Sequence, residues 1–189
     1  MRAEDARLAL EFGADALGFI HEKTSPRYIG EDQDKWVGEL PPFVPKVAVF
    51  GRVVGAPAQA YYDLVQGVEW ETYPFPAPKR LHVIRLRPGQ RAADLINQTI
   101  NASAILLDAY REDSYGGTGV TIDWGVAAEI VQRADRSVIL AGGLTPENVA
   151  DAVRRVRPYA VDVSSGIEKQ PGIKDWDRMR AFIEAAKSA

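Results

Sequence analysis

Short aliphatic runs alternate with amphipathic segments along this chain, and that alternation restricts the fold more than any other feature. Ala16–Ile20, Lys46–Phe50, Leu81–Leu86, Ala104–Asp108, Ser137–Ala141 and Ala160–Ser164 read as strands, and Tyr62–Gln66 adds a seventh. The runs are nearly continuous in apolar residues, which predicts a sheet buried on both faces and therefore parallel. Helical periodicity lies between them. Arg2–Phe12 places Ala3, Ala6, Ala9 and Leu10 on one face, and Glu31–Leu40 and Ala92–Ile100 follow the same spacing. Trp124–Arg133 has Asp123 as its N-cap, Thr145-Pro-Glu-Asn148 opens another helix with Thr145 capping, and Asp175–Ala186 carries Trp176, Met179, Phe182 and Ile183 on one stripe. Pro74, Pro76 and Pro78 exclude a long helix in their stretch.

Alternating strands and helices imply an α/β architecture with right-handed crossovers. An open doubly wound sheet and a closed (β/α)8 barrel of the TIM type both fit. Short regular units favour the barrel. So do the polar and glycine residues at strand C-terminal ends, Asp108, Gly142-Gly143 and Ser164-Ser-Gly166, because that end of a barrel is its active-site mouth. Residues 1–189 are expected to form one such domain. Seven strands are found where a barrel has eight, and the first element is a helix beginning at Arg2, so strand one is expected to be missing from these residues.

Composition removes several classes of chemistry. With no cysteine, disulfides, Cys-bound zinc, iron–sulfur clusters and a thiol nucleophile are excluded. His21 and His82 are the only histidines, too few for a multi-His metal site. A net charge of −3 argues against a nucleic-acid binder, and no apolar run approaches the roughly 20 residues of a membrane span. A soluble cytoplasmic protein is the expectation.

Two glycine turns then carry the most information. Ala141–Asn148 leads from a strand to a helix, and Val163–Glu168 follows the last strand. Glycine lets backbone N–H groups approach an anion, and the loops after the last two strands of such barrels often hold phosphate. The competing reading is that these glycines only make tight turns. Asp108 ends an apolar run at the mouth, where burial would suit it to general-acid work, or it caps backbone there. Asp162 faces inward with Ala160 and Ser164 if Val161 and Val163 face the helices, as a substrate contact or, preferably, an organiser of the mouth. Arg27 could hold a carboxylate with its fork, although a surface arginine usually does not. The loop Asp113–Gly119 has the composition of a mobile cover. His21 is expected to pack rather than to act as a base, and His82 to lie at the opposite end of the sheet.

These residues also carry a family likeness. Gly13–Ile20, Ser25-Pro-Arg-Tyr-Ile29, Leu40-Pro-Pro-Phe-Val44, Ile105-Leu-Leu-Asp108, Gly116-Gly-Thr-Gly119 with Asp123-Trp124, Leu140–Val149 and Tyr159–Glu168 resemble, in order, the phosphoribosylanthranilate isomerase family of tryptophan biosynthesis. The resemblance implies a single-domain (β/α)8 barrel performing an Amadori rearrangement without cofactor or metal. It implies Asp108 as the general acid, Arg27 as the partner of the anthranilate carboxylate, and the Gly142-Gly143 and Ser165-Gly166 loops as the phosphate cradle; Asp162 and Ser164, from the strand alternation above, are taken with them as substrate-binding candidates.

The partner it implies is a small phosphosugar, with no nucleic acid and no membrane, on a monomer or homodimer. The sequence departs from the family in two places. The family's first strand carries a Lys-Ile-Cys-Gly-like motif whose cysteine is the base, and this sequence has no such motif. The family motif Val-Gln-Leu-His-Gly reads Leu64-Val-Gln-Gly-Val68 here, followed by the proline-rich stretch. The intact acid and phosphate motifs favour a true start roughly ten residues upstream, one strand and a loop, over a non-catalytic phosphosugar-binding paralogue. A third reading, a histidine-pathway isomerase on the same scaffold, would need a second mouth carboxylate on strand one.

Overall fold

The computed structural model describes residues 2–30, 35–53, 61–70, 79–96, 102–110 and 122–189. The predicted cover Asp113–Gly119 and the stretch with Pro74, Pro76 and Pro78 lie outside the described residues, as does the 97–100 end of the helix expected from Ala92. Seven strands form one parallel sheet in sequence order: β1 (Leu17–Ile20), β2 (Lys46–Val49), β3 (Leu64–Gly67), β4 (Lys79–Leu86), β5 (Ala104–Ala109), β6 (Ser137–Leu140) and β7 (Ala160–Val161). The described α-helices are α1 (Ala3–Glu11), α2 (Ala92–Ile96), α3 (Trp124–Arg133), α4 (Val149–Val156) and α5 (Trp176–Lys187). The altered motif at Leu64–Gly67 does not disturb β3, which pairs with β2 on one side and β4 on the other.

The sheet curls, and its inner side chains show it. Val47 and Val49 of β2, Leu64 of β3, Leu81 of β4 and Ala104 of β5 share one apolar cluster with Ile139 of β6. β2 and β6 are separated by three strands in the sheet order, so these side chains meet only if the sheet bends round onto itself. A second layer, Val83, Leu106 and Ala141 with Val68 and Ile139, lies two residues further along the strands. Two residues on again come Arg85 and Asp108, opposite one another in register. The alternate residues Ile84, Leu86, Ile105 and Leu107 face outward into a core with Ala127, Ile130, Val149, Ala152, Met179 and Phe182 of the helices. Stacked inner layers beneath a polar rim, with helices on the outside only, are the barrel arrangement and not the doubly wound one.

β1 and β7 are the edges of this sheet. Segment 25–29 covers part of the β1 edge, with Tyr28 bridged to Ile20 and the Ile29 N–H donating to the Ile20 carbonyl at 2.9 Å. The helical layer joins across the same place. Asp5 of α1 takes a bidentate bond from Arg2 and accepts from Trp176 Nε1 of α5 at 3.0 Å, and Lys187 reaches Asp15 at 3.1 Å.

Several boundaries differ from the sequence reading. The run Ala160–Ser164 is strand only to Val161, because β6 alone flanks it. The ladder ends one bond later, where the Asp162 N–H meets the Leu140 carbonyl. The described part of the expected helix Glu31–Leu40 is a 3-10 turn, Lys35–Glu39, stopped by Pro41-Pro42. Asn148 rather than Thr145 supplies the side chain that closes the turn before α4: its Oδ1 accepts from the Thr145 N–H and its Nδ2 donates to the Gly143 carbonyl, while the Thr145 side chain bonds Glu147. Asp123 caps α3 as expected, accepting from the N–H groups of Gly125 and Val126.

Candidate active site

The inward polar residues gather at the C-terminal ends of the strands. Asp108 stands near the end of β5, and its Oδ1 accepts the Ala109 N–H at 2.8 Å. Burial pushes its carboxyl up, only partly offset by that N–H and by the Arg85 guanidinium on β4. A cavity of about 60 Å³ opens beside it, lined by Arg85, Gln66, Val49, Ser25 and Glu22 among others. Asp162, just beyond β7, faces the same interior. Enclosure by the barrel wall, then the Asp108 carboxylate, push its carboxyl up to about 6 against the pull of Lys174 and the Val163 N–H. Water still reaches Asp162. The Asp108 carboxylate thus adds to burial in raising Asp162, whereas at Asp108 the rise comes from burial.

The glycine loops pack on one another and on the acid. Gly142 has φ +80°, and a Cβ there would lie 2.7 Å from the Ala109 nitrogen and 3.2 Å from Asp108 Oδ1. Its function is therefore close approach to the acid. Gly143, at φ +71°, turns the chain towards Leu144. A Cβ on Gly166 would fall 1.9 Å from the Leu144 carbonyl oxygen, so the loops after β6 and β7 touch backbone to backbone at this position.

Three side chains hold the carbonyls of these loops. Asn148 Nδ2 donates to Gly143 O at 3.0 Å, Lys174 Nζ to Ser164 O at 2.8 Å, and Arg178 Nε to Gly166 O at 3.0 Å. A peptide is planar and trans, so fixing each carbonyl fixes the next N–H in the opposite direction. The N–H groups of Leu144, Ser165 and Ile167 are thereby set pointing away from those side chains, as an oxyanion requires.

Arg27 occupies the turn after β1, where its own N–H donates to Ser25 Oγ at 3.1 Å. Its guanidinium is not a lone surface charge. Nε and Nη2 grip the Glu168 carboxylate at 2.9 and 2.8 Å, across 141 residues and across the gap between the two edge strands. His21, by contrast, stacks on Phe50 and bonds the Tyr62 hydroxyl at 2.9 Å, a packing role, and His82 lies low in the sheet beside Gly67 and Ile105.

The predicted residues thus form a connected set. Asp108 touches Gly142, Leu144 touches Gly166, Lys174 ties Ser164 to Glu168, and Glu168 holds Arg27. Glu168, Lys174, Arg85 and Arg178 were not singled out from sequence. One signal was present: the pair Pro171-Gly172 marks a tight turn, and the resulting hairpin places Glu168 opposite Lys174.

Comparison with known proteins agrees with this geometry. The family model for N-(5'phosphoribosyl)anthranilate (PRA) isomerase matches residues 1–185. A Trichlorobacter lovleyi protein named N-(5'-phosphoribosyl)anthranilate isomerase is 45% identical over 195 aligned residues, covering 98% of this chain and 94% of its own. The Thermotoga maritima phosphoribosyl anthranilate isomerase superposes with a TM-score of 0.79 at 33% identity, covering 100% of this chain and 96% of that one. A structure of the same enzyme type, solved with reduced 1-(o-carboxyphenylamino)-1-deoxyribulose 5-phosphate, superposes at 0.74 with 31% identity over 100% and 95% of the two chains. With an inward acid, two interlocked glycine loops and a matched sequence from end to end, this chain belongs to the phosphoribosylanthranilate isomerase family.

Proposed function

We propose that the protein isomerises N-(5'-phosphoribosyl)anthranilate by an Amadori rearrangement, with Asp108 as the general acid. The observation that carries the reading is a carboxyl that burial pushes above the ordinary carboxylate range, directly beside loops whose N–H groups are set for an oxyanion. The Leu144, Ser165 and Gly166 backbone receives the phosphate, and Arg27 receives the anthranilate carboxylate. Asp108 gives its proton to the ribose ring oxygen as the bond from that oxygen to C1 breaks, leaving a protonated imine. A base then takes the C2 proton to form an enolamine, which tautomerises to the ketone. The Asp108 carboxylate in turn helps push the Asp162 carboxyl up to about 6.

The family likeness assigns the base to a cysteine, and these 189 residues contain none. A chain of these residues alone should therefore bind substrate but turn it over about 10²- to 10⁴-fold more slowly than one carrying the base. The acid is tested in a chain to which a Lys-Ile-Cys-Gly-type strand has been added. Asp108→Asn should lower kcat by about 10²-fold or more while the affinity for the reduced product analogue stays within about threefold. Undiminished turnover would remove Asp108 from the mechanism. The binding partner is a phosphosugar, and the protein acts as a monomer or a homodimer in the cytoplasm; none of its described helices is long and apolar enough to cross a membrane.

A further inference from the structure

Glu168 performs no step of the chemistry above, yet its side chain is only 4% exposed and two cations converge on it. Arg27 grips both its oxygens, and Lys174 Nζ reaches Oε1 at 3.2 Å. Burial alone would raise its carboxyl, but Arg27 and Lys174 together hold it below the usual range, so it stays ionised. The cluster then carries two positive charges and one negative. An arginine paired with a carboxylate alone would be neutral and would attract no second carboxylate. Lys174 leaves the Arg27–Glu168–Lys174 cluster itself one cation in excess.

The geometry adds direction to that charge. Glu168 takes the Nε/Nη2 edge of Arg27, which leaves the Nη1 side of the planar fork for another anion. Lys174 bonds at the same time to the Ser164 carbonyl, whose peptide supplies the Ser165 N–H of the phosphate loop. Glu168 and Lys174 face each other in the register of the hairpin Glu168–Gln170 and Ile173–Lys174, so this short hairpin brings the two side chains together.

We propose that Glu168 and Lys174 are positioning residues that fix the spacing between the two anion-receiving ends of the site: Glu168 aims Arg27 at the substrate carboxylate, and Lys174 locks the phosphate loop to the same point. The inference deepens the reading of Arg27 given above and rests on it. Specificity follows, since a ligand carrying both a carboxylate and a phosphate at the right separation gains both contacts, and a simple phosphosugar gains one.

The test measures binding to the full 189-residue chain by calorimetry, so it does not depend on turnover. The probes are reduced 1-(o-carboxyphenylamino)-1-deoxyribulose 5-phosphate and inorganic phosphate. Glu168→Gln should weaken the two-anion ligand by about tenfold or more and leave inorganic phosphate within about twofold. In an Arg27→Ala background the same substitution should add less than about twofold, because its effect passes through Arg27. Lys174→Met should weaken both probes, and Lys174→Arg should restore them.

If Glu168→Gln does not yield folded protein, Glu168→Asp, one methylene too short for the bidentate grip, should show the same dependence on Arg27. If Arg27→Ala leaves the two-anion ligand unchanged, the carboxylate reading of Arg27 is wrong. If Arg27→Ala weakens it and Glu168→Gln does not, that reading stands and the positioning role falls. Equal weakening of both probes by Glu168→Gln, or equal weakening with and without Arg27, would also overturn it, since Glu168 would then only support the fold.

Discussion

Gly166→Ala is a one-carbon test of the phosphate cradle. The backbone of Gly166 lies outside the left-handed region, so alanine adds no backbone strain and the effect is steric. Its Cβ would stand 1.9 Å from the Leu144 carbonyl oxygen and 3.0 Å from the carbonyl carbon, and neither is a side-chain end that can swing away. Restoring contact distance requires the two loops to part by more than about 1 Å, a displacement that can cost about 10²-fold where geometry is tight. Affinity for inorganic phosphate and for the reduced product analogue should both fall by about ten- to a hundredfold. Overpacking should cost about 1–3 kcal/mol, roughly 3–10 °C in Tm at this chain length. Gly142→Ala is the matched control. Its Cβ would meet the Ala109 nitrogen at 2.7 Å, Ile122 Cγ2 at 2.9 Å and Asp108 Oδ1 at 3.2 Å, at a positive φ. It should disturb the acid, lowering kcat in a chain that carries the base, with a smaller loss of phosphate affinity. A Gly166→Ala protein with unchanged phosphate affinity and Tm would show that the interlock of the two loops does not build the cradle.

Two further outcomes concern stability. The Asp162 carboxyl moves from 3.8 to about 6 on folding, so the folded state holds more protons than the unfolded one between those values. Its contribution is complete below pH 3.8 and is lost as pH rises through 6; the shift corresponds to about 3 kcal/mol at most, cut to about 1 kcal/mol because water reaches the group. Urea unfolding of Asp162→Asn and the parent should show the variant gaining by about that amount between pH 4.5 and 7.5, and a pH-independent difference would refute the coupling. Asp5→Asn should cost about 1–3 kcal/mol by weakening the bonds from Arg2 and Trp176 Nε1; it should leave ligand affinity unchanged, and an unaltered urea midpoint would show that α1 is not fastened to α5 there.

The strands were legible because both faces of each are buried, inner layers on one side and helices on the other, so the apolar run is continuous and its period hardly matters. Their ends were less legible. Lys79 and Arg80 look like loop residues, yet they belong to β4 because Leu64 and Val65 of β3 stand beside them. Asp108, Gly142 and Gly166 could be picked out because their chemistry is local: an acid after an apolar run, and glycines between a strand and a helical turn. What sequence could not give was the purpose of each glycine. Gly142 accommodates the acid and Gly166 accommodates a neighbouring carbonyl, and both facts depend on atoms far along the chain. Arg27 looked like an ordinary surface arginine for the same reason, since its partner lies 141 residues away.

That separation also shows what ties the first loop of the sheet to its last ones. Among the described residues, side chains span the distance from the loop after β1 to the loops after β6 and β7. Outside, Asp5 with Trp176 and Asp15 with Lys187 hold the first and last helices together. At the mouth, Arg27 and Glu168 span the gap directly, with side chains 13% and 4% exposed. An exposed ion pair would be too weak and too mobile for this. A bidentate pair withdrawn from water, with a second cation to keep the acid ionised, is restricted in both distance and angle. On the proposed reading of Arg27, the contact that spans this distance is also the one that presents a cation to the ligand, so loss of Glu168 would loosen the mouth where the substrate carboxylate is held.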